Sequence, residues 1–111
     1  MIRLEDLLAT TEGLRPDDLA RWIAAALVTP HEEAGEALFN APGHARVQLL
    51  CTLRYTLDIE EETLPVVLSL LDQLYATRAQ LRALAAAVMA QDAGVQQGIV
   101  AAMGADQEAM P

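Results

Sequence analysis

The chain has 111 residues and a formal net charge of −9, and arginine supplies all seven of its basic side chains. This length predicts one domain, and so acidic a surface disfavours binding to nucleic-acid phosphates and favours a basic partner. Cys51 is the single cysteine, which excludes a disulfide within the chain, and the absence of a secretory signal pattern and of an apolar run near the roughly 20 residues of a membrane span leads us to expect a cytoplasmic protein.

The first quarter of the chain predicts two short amphipathic helices. Apolar residues at helical spacing predict a helix over residues 2–10, and Gly13 suits the left-handed conformation that ends a helix. A second helix is predicted from Pro16, with Asp17 and Asp18 complementing the positive end of its dipole. Its buried stripe is predicted to comprise Leu19, Trp22, Ile23, Ala26 and Leu27.

The next segment predicts a small two-stranded wing. Val28–Pro30 is β-branched and then ends in proline, which favours an edge strand. His31–Gly35 is polar and contains glycine, as is typical of a loop or hairpin tip. Glu36–Asn40 is the predicted return strand, so the two strands would form a hairpin.

A third helix and an acidic hinge follow. Turn-forming residues over 40–43 precede a helix that is predicted to begin at Pro42 or His44 and to end at Leu57. Apolar residues occupy two sides of this helix, which predicts packing on both. The hinge covers Asp58–Glu62 and holds the densest group of carboxylates in the chain.

A long fourth helix is predicted from Leu64 past Val88, with Thr63 as its N-cap. Leucine spacing from Leu74 onward is typical of a short coiled-coil seam. The residues expected to mediate dimerisation are Leu74, Leu81, Leu84 and Val88. We expect one structural domain in three regions, residues 1–58, 59–92 and 93–111, the last being an Ala/Gly-rich tail with at most a short helix and a frayed end.

No pattern in the sequence is typical of an enzyme or of a cofactor site. His31 has glutamates beside it but matches no metal-ligand spacing, and a surface loop is the expectation. Ser69 is the only serine and has no histidine near it in sequence, and no glycine-rich phosphate loop occurs. We therefore expect no catalytic residues, no metal and no cofactor, and predict an interaction protein.

Candidate partner-binding residues lie around the hinge. Its carboxylates form either an electrostatic docking patch or a solvated loop whose charge complements the dipole of the next helix. Near the end of the third helix, Arg54 is either an internal salt-bridge anchor or an interface residue, and Tyr55 serves either core packing or an interface. Asp72 either is exposed, pairs with an arginine or contacts a partner. The candidate set is Arg54, Tyr55, Asp58, Glu60, Glu61, Glu62 and Asp72.

Several segments resemble a known family. Residues 4–23 (LEDLLATTEGLRPDDLARWI), 28–40 (VTP…ALFN), 45–59 (ARVQLLCTLRYTLDI) and 64–74 (LPVVLSLLDQL) are similar to MerR-type winged helix-turn-helix domains, and within them to the CbpM family of chaperone modulators. The resemblance covers roughly residues 4–90. It implies a mainly α fold, with a two-stranded wing and then a helical hairpin ending in a long C-terminal helix.

The same resemblance implies a homodimer that binds the J-domain of a DnaJ- or CbpA-like co-chaperone and blocks its stimulation of the Hsp70 partner, DnaK. The alternative is a MerR-like DNA-binding transcriptional regulator, whose second helix would enter the major groove. That helix carries Arg15 and Arg21, but Asp17 and Asp18 lie at its leading end and the wing tip is acidic, whereas groove readers need a basic footprint.

Overall fold

The computed structural model describes the backbone of residues 1–109 and the side chains of residues 1–105. The fold is mainly helical with a small antiparallel sheet. In chain order the elements are β1 (Ile2–Arg3), α1 (Leu4–Thr10), α2 (Pro16–Ala24), β2 (His31–Glu33), β3 (Glu36–Phe39), α3 (Ala41–Cys51), a π-helical turn (Thr52–Thr56), a 3-10 helix (Glu61–Thr63), α4 (Leu64–Met89) and α5 (Ala93–Ala109). Two compact units divide the chain, unit 1 being Met1–Ser69 and unit 2 beginning at Leu70, within α4.

The sheet has the strand order β1-β3-β2, all antiparallel. A two-residue turn joins β2 to β3, and its residues, Ala34 and Gly35, have φ angles of 49° and 79°. Positive φ at both central positions is the signature of a type I′ hairpin turn, whose twist matches the strands it connects. The predicted hairpin is therefore confirmed.

Two details of the predicted wing are wrong. Val28–Pro30 is not a strand, because the hairpin register pairs His31 with Leu38 and so places the outgoing strand one segment later. Val28 is instead a core residue. The sheet also has a third strand, since Ile2 pairs with Phe39 where a helix was expected from residue 2, and this pairing satisfies backbone groups along the second edge of β3.

Helix α2 begins as predicted. Pro16 occupies its first turn, where a missing N–H costs nothing, and Asp17 and Asp18 lie in the same turn. Leu19 and Trp22 are 1% and 0% exposed. Burying two side chains of this size stabilises the fold by about 1.5–3 kcal/mol each.

The end of α2 differs from the predicted stripe. Ala26 lies outside the helix, exposed, with φ of 59°. Its N–H donates to the carbonyl of Ile23 at 3.0 Å, and the N–H of Leu27 donates to that of Trp22 at 2.9 Å. This pair of bonds is a Schellman motif, whose left-handed position is usually glycine.

Helix α3 begins and continues much as predicted. The side chain of Asn40 caps it by accepting from the Gly43 N–H at 2.8 Å. After Cys51 the helix widens into the π-helical turn, and Leu57 N–H bonds the Thr52 carbonyl at 2.9 Å. Such turns are rare and are frequent at functional sites. Sequence periodicity did not indicate this one.

The hinge is shorter and more helical than expected. Glu61–Thr63 forms a 3-10 helix that leads directly into α4. Thr63 donates its N–H to the Glu60 carbonyl at 3.0 Å, so it lies in a helical turn and not in the extended conformation of an N-cap. The long helix itself is confirmed, because α4 spans Leu64–Met89.

The helix in the tail is longer than the short one predicted. Residues 93–109 form the 17-residue helix α5, and the helix includes residues 106–109, which were expected to fray; residues 110 and 111 lie outside the described residues. The carboxylate of Asp92 caps α5 by accepting from the Val95 N–H at 2.9 Å. Alanine is the best helix former, and its frequency here outweighs the three glycines.

The core of unit 1 is built from α1, α2, β3, α3 and the first turns of α4. Its buried apolar residues are Leu7, Leu14, Leu19, Trp22, Val28, Phe39, Val47, Leu50, Leu53, Leu64 and Leu68. The hinge is therefore anchored at both ends, by Leu53 before it and by Leu64 after it. Over the described residues, no helix combines the length and the apolar character that crossing a membrane demands.

Candidate functional site

Polar side chains from four segments of unit 1 meet around one cleft at the hinge. The segments are the loop before α2 together with the first turns of that helix, the π-helical turn, residue 58 and the 3-10 helix. The cleft has a volume of about 440 Å³. We call it the hinge cleft, and its lining residues are Gly13, Arg15, Asp18, Arg21, Arg54, Tyr55, Asp58 and Glu61.

Tyr55 joins the π-helical turn to α2. Its hydroxyl donates to Asp18 Oδ2 at 2.5 Å and accepts from the Arg15 backbone N–H at 3.2 Å. The Tyr55 ring also packs against Trp22, with 6.1 Å between ring centroids. Burial, and then the hydrogen bond to the Asp18 carboxylate, raise the pKa of Tyr55 to about 12. The phenol therefore stays protonated and acts as a donor.

Glu61 joins the 3-10 helix to the same place. Its Oε2 accepts from the Trp22 indole N–H at 3.2 Å. Its Oε1 lies 3.2 Å from Arg21 Nη1 and 3.4 Å from Arg54 Nε, although no described group makes a well-aligned hydrogen bond to that oxygen. Attraction at Oε1 is therefore Coulombic and not directional. Only 25% of the Glu61 side chain is exposed, so its carboxylate mainly contacts other residues of the cleft.

The outer rim of the cleft is acidic. Asp58 follows the π-helical turn in the left-handed conformation, with φ of 54°, which Asp adopts more readily than most residues. Its side chain is 94% exposed and lies 3.4 Å from Arg54 Nη1. Glu60 and Glu62 are exposed, and among the described residues neither has an ion pair. We call Asp58, Glu60 and Glu62 the acidic rim.

The structure brings together most of the predicted partner-binding residues. Arg54, Tyr55, Asp58 and Glu61 line the hinge cleft, and the exposed Glu60 and Glu62 flank Glu61 in the chain. Asp72 is exposed and belongs to unit 2. The dimerisation candidates on α4 also belong to unit 2, where Val88 is half-buried and three leucines are exposed, namely Leu74, Leu81 and Leu84.

Sequence reasoning missed the contribution of α2. Asp18 was assigned to the helix dipole, yet it is 9% exposed and pairs with Arg21 at 3.0 Å as well as with Tyr55. The three-residue spacing of Asp18 and Arg21 on one helix was the available signal. Trp22 was correctly predicted as core, but nothing local indicated that its indole would reach Glu61.

The cysteine and the histidine of the wing lie outside the hinge cleft lining. Burial, and then the nearby Asp18 carboxylate, raise the pKa of the Cys51 thiol, so the half-buried cysteine has little thiolate character. His31 lies in β2 and is exposed, with its Nε2 3.0 Å from Asn40 Nδ2. Across the side chains that the structure describes, no group of three His, Cys, Asp or Glu is placed to hold a metal ion.

Comparison with known proteins adds no relative. No protein-family model matches the chain. No curated protein and no solved structure matches it either.

Proposed function

We propose that this protein is a CbpM-like chaperone modulator with a MerR-like winged helix-turn-helix fold. It works as a cytoplasmic homodimer, binds the J-domain of a DnaJ- or CbpA-like co-chaperone and blocks stimulation of the Hsp70 partner; it is not an enzyme. The observation that best supports this is the convergence of four of the seven predicted partner-binding residues on one cleft, namely Arg54, Tyr55, Asp58 and Glu61.

The order of elements in unit 1 supports the fold proposed. Helices α1 and α2 are followed by the β2–β3 hairpin and then by α3, which is the order that the resemblance implies. The hinge and α4 come next. Two helices, a hairpin and a third helix thus follow one another within the 69 residues of unit 1, an order that supports the proposed winged helix-turn-helix fold.

The charge distribution suits a basic partner. The acidic rim places three exposed carboxylates beside a cleft whose inner carboxylates already have partners. A J-domain is expected to present a basic helix to its Hsp70 partner, and each exposed ion pair with it contributes about 0–1 kcal/mol. Complementary charge mainly speeds the encounter and rejects wrong partners.

Affinity also requires apolar anchors, because a few buried side chains carry most of the binding energy of an interface. Leu57 and Val66 meet this need, since they are 60% and 59% exposed and lie on either side of the acidic rim in sequence. Both belong to unit 1. The proposed docking surface therefore combines the rim with these two residues.

The DNA-binding alternative is weaker. Arg21 of α2 lies 3.0 Å from Asp18 and 3.2 Å from Glu61, so two nearby carboxylates offset its positive charge. Glu32 and Glu33 are exposed on the outer strand of the wing. A protein that reads the DNA groove needs positive charge on its second helix and its wing. Here carboxylates offset Arg21 on α2, and the wing strand exposes glutamates.

The test is binding to a purified J-domain by titration calorimetry, followed by the J-protein-stimulated ATPase rate of DnaK. Glu60→Lys/Glu62→Lys is expected to weaken binding about 10–100-fold, because repulsion replaces attraction at two exposed sites. The matched control is Glu32→Lys/Glu33→Lys, which makes the same charge change in the wing. We expect its affinity to stay within about threefold of the wild type.

Wild-type protein that neither binds the J-domain nor lowers the ATPase rate would overturn the proposal. Equal binding by wild type and the Glu60→Lys/Glu62→Lys variant would remove the acidic rim from it. Retention of duplex DNA with a steep loss of affinity in salt would instead support the regulator.

A further inference from the structure

The side chains that the structure describes in unit 2 form no buried core within a single chain. None of the residues from 70 to 105 is buried, and four are half-buried. Nine of its large apolar side chains are 43–71% exposed, namely Leu70, Leu74, Tyr75, Leu81, Leu84, Met89, Val95, Val100 and Met103. Helices in water owe most of their stability to packing of an apolar face. Two helices with this surface therefore need a further surface against which to pack.

Helix α4 presents these residues as an ordered stripe. Leu70, Leu74, Thr77, Leu81, Leu84 and Val88 follow one another at alternating intervals of four and three residues. This alternation keeps a single seam facing a partner helix, as in a coiled coil. The stripe includes every dimerisation residue predicted on α4, and adds Leu70 and the polar Thr77.

Helix α5 continues the apolar surface after a fixed corner. The Gln96 side-chain amide donates to the carbonyls of Met89 at 3.2 Å and Gln91 at 2.7 Å, so residues at the end of α4 and in the corner are tied to the first turns of α5. Asp92 caps the new helix. Val95, Ile99 and Met103 then recur at four-residue intervals, which places them on one face.

Charge indicates what covers this surface. Residues 70–105 carry two acidic and two basic side chains, Asp72, Asp92, Arg78 and Arg82, and are neutral overall. Asp106 and Glu108 bring the whole of unit 2 to −2, whereas unit 1 has twelve carboxylates against five arginines and carries −7. A basic partner gains no electrostatic attraction from a neutral face, whereas two copies of it approach one another without the repulsion that unit 1 would create. A second copy of this chain is the occupant that fits.

We propose that α5 is an assembly helix: in the homodimer, the apolar face of α5 packs on the α4 stripe of the second copy, so both helices of unit 2 are needed for dimerisation. This rests on the homodimer of the proposed function and goes beyond it by assigning a role to residues 93–105, which lie beyond the resemblance. The interface is neutral and apolar, and it is separate in sequence from the acidic rim.

The oligomeric state of the full chain tests this, measured by sedimentation equilibrium over a dilution series. Wild type is expected at twice the 12.0 kDa chain mass. Val95→Glu/Met103→Glu in α5 and Leu81→Glu/Leu84→Glu in α4 are each expected to raise the dimer dissociation constant at least about 100-fold, because each buries two charges in an apolar contact.

Matched controls add the same charge on the opposite side of each helix. In α5 the control is Gln97→Glu/Ala101→Glu, whose positions are each two residues along the chain from Val95 and Met103. In α4 it is Ala79→Glu/Ala86→Glu, whose positions are each two residues from Leu81 and Leu84. At about 100° per residue, a two-residue step reverses the face. Both controls are expected to remain dimeric, and circular dichroism of all four variants checks that helix content is kept.

A monomeric wild type overturns the proposal. So does a Val95→Glu/Met103→Glu variant that dimerises like wild type, and in that case loss of the dimer in the α4 variant alone leaves dimerisation to α4. Equal loss in the controls and the test variants also overturns it, because the effect would then be one of charge and not of a face. J-domain binding is measured separately, so failure of either proposal is recognised without the other.

Discussion

Removing the Glu61 carboxylate tests whether this side chain holds the hinge cleft together. Trp22 is 0% exposed, and its indole N–H donates to Glu61 Oε2 at 3.2 Å. In Glu61→Ala this buried donor loses that acceptor, which costs about 1–3 kcal/mol in the free energy of unfolding.

Two ion pairs are lost with the same carboxylate. The side chains of Arg21 and Arg54 are 55% and 32% exposed, so solvent screening limits each pair to about 0–1 kcal/mol. The lost hydrogen bond of the indole N–H and the two lost ion pairs add up, so Glu61→Ala is expected to destabilise the fold by about 2–4 kcal/mol. A domain of this size has only about 5–15 kcal/mol in total, so the effect is large.

Urea denaturation followed by the fluorescence of Trp22, the single tryptophan, measures this loss. Glu61→Gln keeps an oxygen that accepts from the indole and removes the charge, so it is expected to cost about 1 kcal/mol. Glu62→Ala is the control, because it removes the next carboxylate in the chain, which is exposed. If Glu61→Ala and Glu62→Ala unfold within about 0.5 kcal/mol of each other, the reasoning is refuted.

Three further predictions concern backbone strain and the half-buried phenol of Tyr55. Ala26→Gly is expected to stabilise unit 1 by about 0.5–1 kcal/mol, because glycine adopts the φ of 59° without a steric penalty; an unchanged or lower urea midpoint would contradict this. Ala34→Asn, at φ of 49° in the type I′ turn, is expected to add about 0.5 kcal/mol, and a drop in thermal midpoint would count against the turn assignment. Folding raises the pKa of Tyr55 from 10.0 to about 12, so the folded state holds the phenolic proton more tightly than the unfolded state. This contribution is complete below pH 10 and is lost as pH rises towards 12. Wild type should therefore lose stability over that interval relative to Tyr55→Phe, and parallel stability profiles of the two proteins would rule out the linkage.

Local signals were enough to place several elements. Residues close together in the chain predicted α2. They are a proline at its start, the two aspartates that follow it, and a buried stripe through Leu19 and Trp22. The long α4 was predicted in the same way from recurring leucines. Helices depend on contacts three and four residues apart, so a single sequence contains most of what specifies them.

Strand pairing and the cleft were harder to predict. β1 consists of two residues whose partner is Phe39 and its neighbour, and two residues show no periodicity. In the hinge cleft, Tyr55 bonds a residue 37 positions away and Trp22 bonds one 39 positions away. No local pattern indicates which of twelve carboxylates in unit 1 will be the acceptor.

Composition and periodicity alone determined that this is a mainly helical, acidic chain without an intrachain disulfide, with carboxylates concentrated at a hinge before a long helix. These properties are sums over residues or repeats along the chain, and they need no knowledge of the fold. Tertiary structure decided that Glu61 faces inward to Trp22 while Glu60 and Glu62 stay exposed, and that most of the large apolar side chains described in unit 2 are exposed within one chain. Identical side chains take opposite roles there because burial and pairing depend on neighbours that only folding brings within hydrogen-bond distance.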